Sequence, residues 1–162
     1  MTSSPAHIVV NKGLSIKFRK LHPEAKLPVA MTQGAIGMDI YAFLLAENGR
    51  RNNMLLPPRT TRNVPTGLQI EVPSGYFAAV CSRSGLAKDS LFVGNAPGII
   101  DPDYRGELRV LLYNGGHESY YVQHEQRVAQ LILLPAVYAG VTAVGTLTAT
   151  ERGTGGLGST GK

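Results

Sequence analysis

The stretch Asn95 to Arg109, NAPGIIDPDYRGELR, crowds an acid, an aromatic ring and an arginine around one reversal of the chain. Asp101-Pro102-Asp103-Tyr104 is a turn sequence, because Pro102 presets φ between two strand-like runs, and a hairpin is expected there. Pro97-Gly98 on the entering arm lets backbone approach a ligand closely. Asp101 follows Ile99 and Ile100, which predicts a carboxylate held against an apolar wall. An aspartate is ionised at neutral pH and can take a proton from water. Read alone, the segment also fits an ordinary surface hairpin with solvated acids.

A second candidate is Ser82-Arg83-Ser84-Gly85-Leu86-Ala87, where hydroxyls, a guanidinium and free backbone N–H groups gather at a possible helix start. Such a set suits an anion, and it equally suits a helix capped by Ser82 or Ser84. A third is the tail Arg152 to Lys162, RGTGGLGSTGK, whose glycine N–H groups, Ser159 and Thr160 suit phosphate oxygens, while its composition equally suits a frayed terminus. It lacks the order of a Walker A loop. His7, His22, His117 and His124 have no zinc-ligand spacing, and Cys81 lies within an apolar run that suggests a buried small hydrophobe. No basic-aromatic array for RNA is present, so a small anionic ligand is expected rather than nucleic acid.

The elements that must position these groups read as strands. Leu14, Ile16 and Phe18 alternate with polar residues, as do Leu68, Ile70 and Val72. Tyr76–Cys81, Leu108–Tyr113, Arg127–Leu134 and Val141–Thr148 are further short apolar or β-branched runs, separated by turn clusters such as Asn114-Gly115-Gly116. Ser84 to Ser90 predicts one short helix, and Met38 to Asn48 is ambiguous by period. The 162 residues suit one domain, and 19 Gly with 10 Pro exclude a helix bundle. The expected class is all-β, a sandwich, jelly roll or barrel. Lys plus Arg number 16 against 11 acids, a net charge of +5 that favours an anionic partner. With one cysteine, no signal sequence in view and no apolar run of membrane-spanning length, a soluble intracellular protein is expected, cytoplasmic or nuclear.

Taken in order, the segments resemble the trimeric deoxyuridine triphosphatase (dUTPase) family, whose five short motifs are all present. Gly37-Met38-Asp39-Ile40-Tyr41-Ala42 is similar to the first, Ser82 to Ala87 to the second and Gly98 to Gly106 to the third. Gln126-Arg127-Val128-Ala129-Gln130-Leu131 is similar to the fourth, and Arg152 to Gly161 to the fifth. The resemblance implies a jelly-roll-like β domain over residues 1–150 with one short helix, and a flexible glycine-rich arm over 151–162. It implies a homotrimer with active sites at subunit interfaces, hydrolysing dUTP to dUMP and pyrophosphate with Mg²⁺. That reaction limits uracil in DNA and supplies dUMP for thymidylate synthesis.

The resemblance also assigns roles. Asp101 matches the general base. Asn95, Gly98, Ile99, Ile100 and Arg109 match the segment that reads uracil, and Tyr104 the ring on the deoxyribose. Arg83, Ser84, Gly85 and Gln130 match the phosphate site. Arg152, Leu157, Gly158, Ser159 and Thr160 match the arm that closes over the substrate from a neighbouring subunit. Mg²⁺ is expected to bind through the triphosphate with no direct protein ligand, its water shell meeting Asp39 and Gln130. Two positions depart from the family pattern. Gln126 replaces an acid, and Leu157 replaces an aromatic that stacks on uracil, so a looser closed arm is expected. The nearest rival of the same fold is a dCTP deaminase, against which the D-P-D-Y turn argues. A second rival is a non-catalytic dUTPase-like module that signals through a regulatory protein partner. No membrane partner is expected.

Overall fold

The computed structural model describes residues 13–46 and 48–156, and it is built almost wholly of antiparallel strands. β1 (Lys17–Lys20), β4 (Thr61–Glu71), β8 (Glu107–Asn114) and β6 (Leu91–Val93) form one sheet in the order β1-β4-β8-β6. A second sheet orders β2 (Met38–Tyr41), β10 (Arg127–Pro135), β5 (Tyr76–Cys81) and β7 (Gly98–Ile100) as β2-β10-β5-β7. The short β3 (Asn53–Leu56) and β9 (Tyr120–Gln123) pair with each other. The single helix among the described residues, α1, covers only Ser84–Ala87.

Alternation along the strands builds the core. On β8, Leu108, Val110, Leu112 and Asn114 are buried while Arg109 and Leu111 face out, and on β4 Leu68 and Ile70 point inward. Ile70, Leu108, Val110 and Leu112 of the first sheet join Ile40, Val80, Val128 and Leu131 of the second in one apolar cluster. β4 is longer than the sequence pattern predicts, because its register breaks between Pro65 and Gln69. Pro65 has no N–H for the ladder, and the Gly67 N–H turns to the Glu107 carboxylate at 2.9 Å. Among the described residues the one buried side-chain amide, Asn114, is satisfied. It donates to Leu56 O at 3.0 Å and Glu118 O at 2.8 Å and accepts from Gly116 N–H at 2.9 Å.

Three expectations need correction. Val141–Thr148 forms no strand; it is exposed throughout, because no strand among the described residues pairs with it. Asp101–Tyr104 does close a turn, with Tyr104 N–H on Asp101 O at 3.2 Å, but its arms are not a paired hairpin. β7 pairs with β5 and β8 pairs with β4 and β6, so the turn carries the chain from one sheet to the other. Cys81 is half-buried rather than buried.

Glu125 sits in the tight β9–β10 connection at φ 62°. Lys26 Nζ lies 2.8 Å from its carboxylate, and Arg51 and His124 face it at 3.9 Å. The Lys26 hydrogen bond is the main reason its pKa is held below the ordinary 4.5. A pKa lower in the folded state gives stability that is present above the unfolded value and lost as pH falls through the folded one. Glu125→Gln should therefore be less stable than wild type at neutral pH, by a small margin because the group is open to water. That gap should close as the pH drops below 4.5, as followed by urea denaturation at fixed protein concentration.

Candidate active site

One row of residues crosses the second sheet. Asp39 on β2 is paired with Gln130 on β10, and Gln130 in turn with Cys81 on β5. Next to Cys81, Val80 is paired with Gly98 on β7. Residues directly opposite on neighbouring strands share a face, so Asp39 and Gln130 project together. At ~4.8 Å per strand the row extends roughly 14 Å. The sequence Ser82-Arg83-Ser84-Gly85 follows Cys81 at its middle.

Asp39 is nearly buried, and its carboxylate is held by two guanidiniums. Arg83 Nε donates to Oδ1 at 2.8 Å and Arg83 Nη2 to Oδ2 at 3.3 Å. Arg127 Nη1 donates to Oδ2 at 3.1 Å. Arg83 Nη1 also reaches the Arg127 carbonyl at 3.4 Å. One carboxylate between two cations leaves one positive charge uncompensated, and Oδ1 keeps a free lone pair. Gln130 Nε2 donates to Ser82 O at 3.0 Å, while its Oε1 lies against Gly37, where a Cβ would collide with it. Ser82 Oγ accepts from Val93 N–H at 2.8 Å, which ties the loop to β6. Neither serine caps α1: Arg83 is the N-cap residue and makes no side-chain cap bond.

The second group lies around the inter-sheet turn. Asp101 is exposed and borders a groove of about 360 Å³ walled by Phe77, Ile99, Pro102, Val137 and Tyr138. The apolar wall predicted for it is therefore present on one side. Tyr104 folds back over Gly106 and donates its hydroxyl to Glu107 O at 2.9 Å. Arg109 is held by Glu107 at 3.0 Å and Asn63 at 3.1 Å. Asn95 packs its amide against Gly98, and Ile100 is half-buried. Among the described residues, no hydrogen bond or ion pair joins this group to Asp39, Arg83, Arg127 or Gln130.

Arg152 stands apart from both on the exposed segment after β10, donating to Gly155 O at 3.0 Å. Leu157, Gly158, Ser159 and Thr160 lie outside the described residues. The sequence reading missed Arg127 as a site residue. Strict alternation puts it on the face opposite Gln130, but the β2–β10 register shifts between Arg127 and Ala129. That bulge resets the phase and brings both toward Asp39.

Chemically, the row offers donors and net positive charge to an extended anion, with carboxylate and amide oxygens beside them. Among the described residues no three His, Cys, Asp or Glu side chains gather as a metal cage. The oxygens of Asp39 and Gln130 suit the water shell of a hard cation. Gly37→Ala should push Gln130 off Ser82 at a cost of about 0.5–1.5 kcal/mol for one hydrogen bond. Urea denaturation checks the cost, and a crystal structure with the Gln130–Ser82 bond intact would contradict it.

The dUTPase family model matches residues 23–161. A deoxyuridine 5'-triphosphate nucleotidohydrolase of Nautilia profundicola is 39% identical over 150 residues, covering 92% of this chain and all of the relative. The enzyme of the same name from Desulfotalea psychrophila is 46% identical over 136 residues, 83% of this chain and 87% of its own. In fold, a Staphylococcus bacteriophage 80alpha dUTPase variant with dUpNHpp superposes with a TM-score of 0.79 at 21% identity, covering 91% and 99% of the two chains. A dUTPase variant of phage phi11 of S. aureus, described with a structural Mg(II) ion, gives 0.71 at 19% identity over 83% and 99%.

Proposed function

The chain belongs to the dUTPase family, and from that premise we propose that it hydrolyses dUTP to dUMP and pyrophosphate. The observation that carries this reading is the row across the second sheet, where the Asp39–Arg83–Arg127 cluster meets Gln130 and the Ser82–Gly85 loop. Phosphoryl transfer asks for positioning and charge neutralisation more than for covalent chemistry, and the row supplies both without a nucleophile.

Arg83, Ser84, Gly85 and Gln130 hold the phosphates. Asn95, Gly98, Ile99, Ile100 and Arg109 frame the uracil, largely through backbone, and Tyr104 packs on the deoxyribose where a 2′-hydroxyl would clash. Asp101 orients a water and takes its proton as the water oxygen bonds to the α-phosphorus. The bond from that phosphorus to the α–β bridging oxygen breaks, and pyrophosphate leaves. Asp39 and Gln130 are the residues that would meet the water shell of a Mg²⁺ ion accompanying the triphosphate, and such an ion would supply neutralisation of phosphate charge. Residues 1–150 act as the catalytic body. Residues 151–162 act as the arm, with Arg152, Leu157, Gly158, Ser159 and Thr160 closing over the substrate.

We assign the working form to a homotrimer with sites between copies. Two observations support this. Among the described residues, no hydrogen bond or ion pair joins the Asp39–Arg83–Gln130 row to the Asp101–Tyr104 group within one chain. Val137, Tyr138, Val141 and Leu147 are also exposed along the segment after β10, with Val141 fully so, which is apolar surface suited to a second copy. No helix among the described residues is long and apolar enough to cross a membrane.

Pyrophosphate release should be fast with dUTP and slow with dCTP, dTTP and UTP. Asp101→Asn should keep the fold and dUTP binding while lowering turnover by about two to four decades, the usual contribution of a general base. Wild-type turnover in that variant would remove Asp101 from the chemistry, and equal rates on dCTP would refute the substrate.

A further inference from the structure

Asp39 raises an electrostatic problem for a site that must hold a polyanion. It grips Arg83 through both oxygens, at 2.8 Å and 3.3 Å, in a nearly dry setting where the two side chains keep only 12% and 21% of their exposure. A carboxylate paired so closely cancels the charge of its arginine. An incoming phosphate would then meet a neutral pair, with Asp39 competing for the same N–H groups. Arg127 changes that balance from two directions. Its Nη1 takes Oδ2 at 3.1 Å, so the carboxylate is shared, and its carbonyl receives Arg83 Nη1 at 3.4 Å. The cluster thereby keeps one positive charge. Arg83 retains one free N–H on each terminal nitrogen, while Arg127 itself stays 43% exposed at the mouth of the cluster.

We propose that Arg127 is a positioning residue for the triphosphate: it offsets Asp39, so that Arg83 stays fixed in direction yet remains charged toward the phosphates. The inference rests on the dUTP reading for the identity of the substrate, but its physical content is affinity for a chain of phosphates. Arg127 acts before the chemical step. Its removal should weaken binding of substrate and leave the rate of bound substrate nearly alone.

The test is steady-state kinetics with dUTP and calorimetric binding of inorganic tripolyphosphate, on wild type, Arg127→Gln and Arg127→Lys. Arg127→Gln should raise KM about tenfold and weaken tripolyphosphate by a similar factor, one decade corresponding to about 1.4 kcal/mol. Its kcat should stay within about threefold of wild type, and its KM should depend less on salt because one cation is gone. Arg127→Lys, which keeps the charge, should restore KM to within about threefold of wild type. A brace that only supports the fold would instead lower thermal stability and kcat at constant KM, and that pattern overturns the proposal. So does a lysine variant as weak as the glutamine one. If Arg127→Gln does not fold, the lysine variant decides alone: near-wild-type KM and salt dependence support the role, and a tenfold higher KM refutes it. Tripolyphosphate binding separates this inference from the dUTP reading. A wild type that binds it but leaves dUTP intact fails the reading while still testing Arg127.

Discussion

The carboxylate of Asp39 is shared between two guanidiniums from different parts of the chain, and the site's other geometry depends on that sharing. A nearly buried carboxylate is costly unless ionic and hydrogen-bonding partners surround it. Here Arg83 comes from the loop after β5 and Arg127 from the start of β10, and both reach the four-residue strand β2 from the same side of the sheet. The pairing therefore pins three segments at one place in the second sheet. Gln130 continues the arrangement by holding Ser82 O, so the loop that offers Ser84 and Gly85 is fixed at its base. Loss of either arginine would leave Asp39 less compensated, and loss of Arg83 would also cut the tie between the loop and β2.

The remaining chemistry sits where the two large sheets exchange chain. β7 ends in one sheet and β8 begins in the other, so Asp101 and Tyr104 occupy a seam rather than the tip of a free hairpin. That placement leaves Asp101 exposed yet beside the apolar groove of Phe77, Ile99 and Tyr138. The role proposed for Asp101, activating a water, needs both access and a defined direction. The seam provides direction through the Asp101–Tyr104 turn bond and the Tyr104 hydroxyl on Glu107 O.

Much of this was legible in the sequence. The alternation of Leu68, Ile70 and Val72, and the runs at Tyr76–Cys81 and Leu108–Tyr113, identify strands because burial has period two. Asp39, Arg83 and Gln130, which the structure brings together across the second sheet, lie in motifs that the sequence shows. What stayed hidden depends on pairing. Arg127 reaches Asp39 only through a register shift in β10, and a bulge leaves no local mark in the order Gln126-Arg127-Val128-Ala129. The run Val141–Thr148 has the residues of a strand but no partner among the described residues, so composition predicted an element that tertiary context withholds. The short strands Asn53–Leu56 and Tyr120–Gln123 were missed because four residues carry too little pattern, and they exist through pairing with each other.

Subunit complementation most directly tests whether the two clusters of one chain act on the same substrate only across copies. Arg83→Ala and Asp101→Asn are each expected to be inactive as homotrimers. Denatured together in equal amounts and refolded, they should form mixed trimers in which some sites take Arg83 from one copy and Asp101 from another. Random assembly would restore about a quarter of wild-type dUTP turnover per site, since each intact site needs one particular variant in each of two places. No recovery beyond either variant refolded alone, in mixtures shown to contain both chains in one trimer, would place the whole site within a single chain and contradict this arrangement.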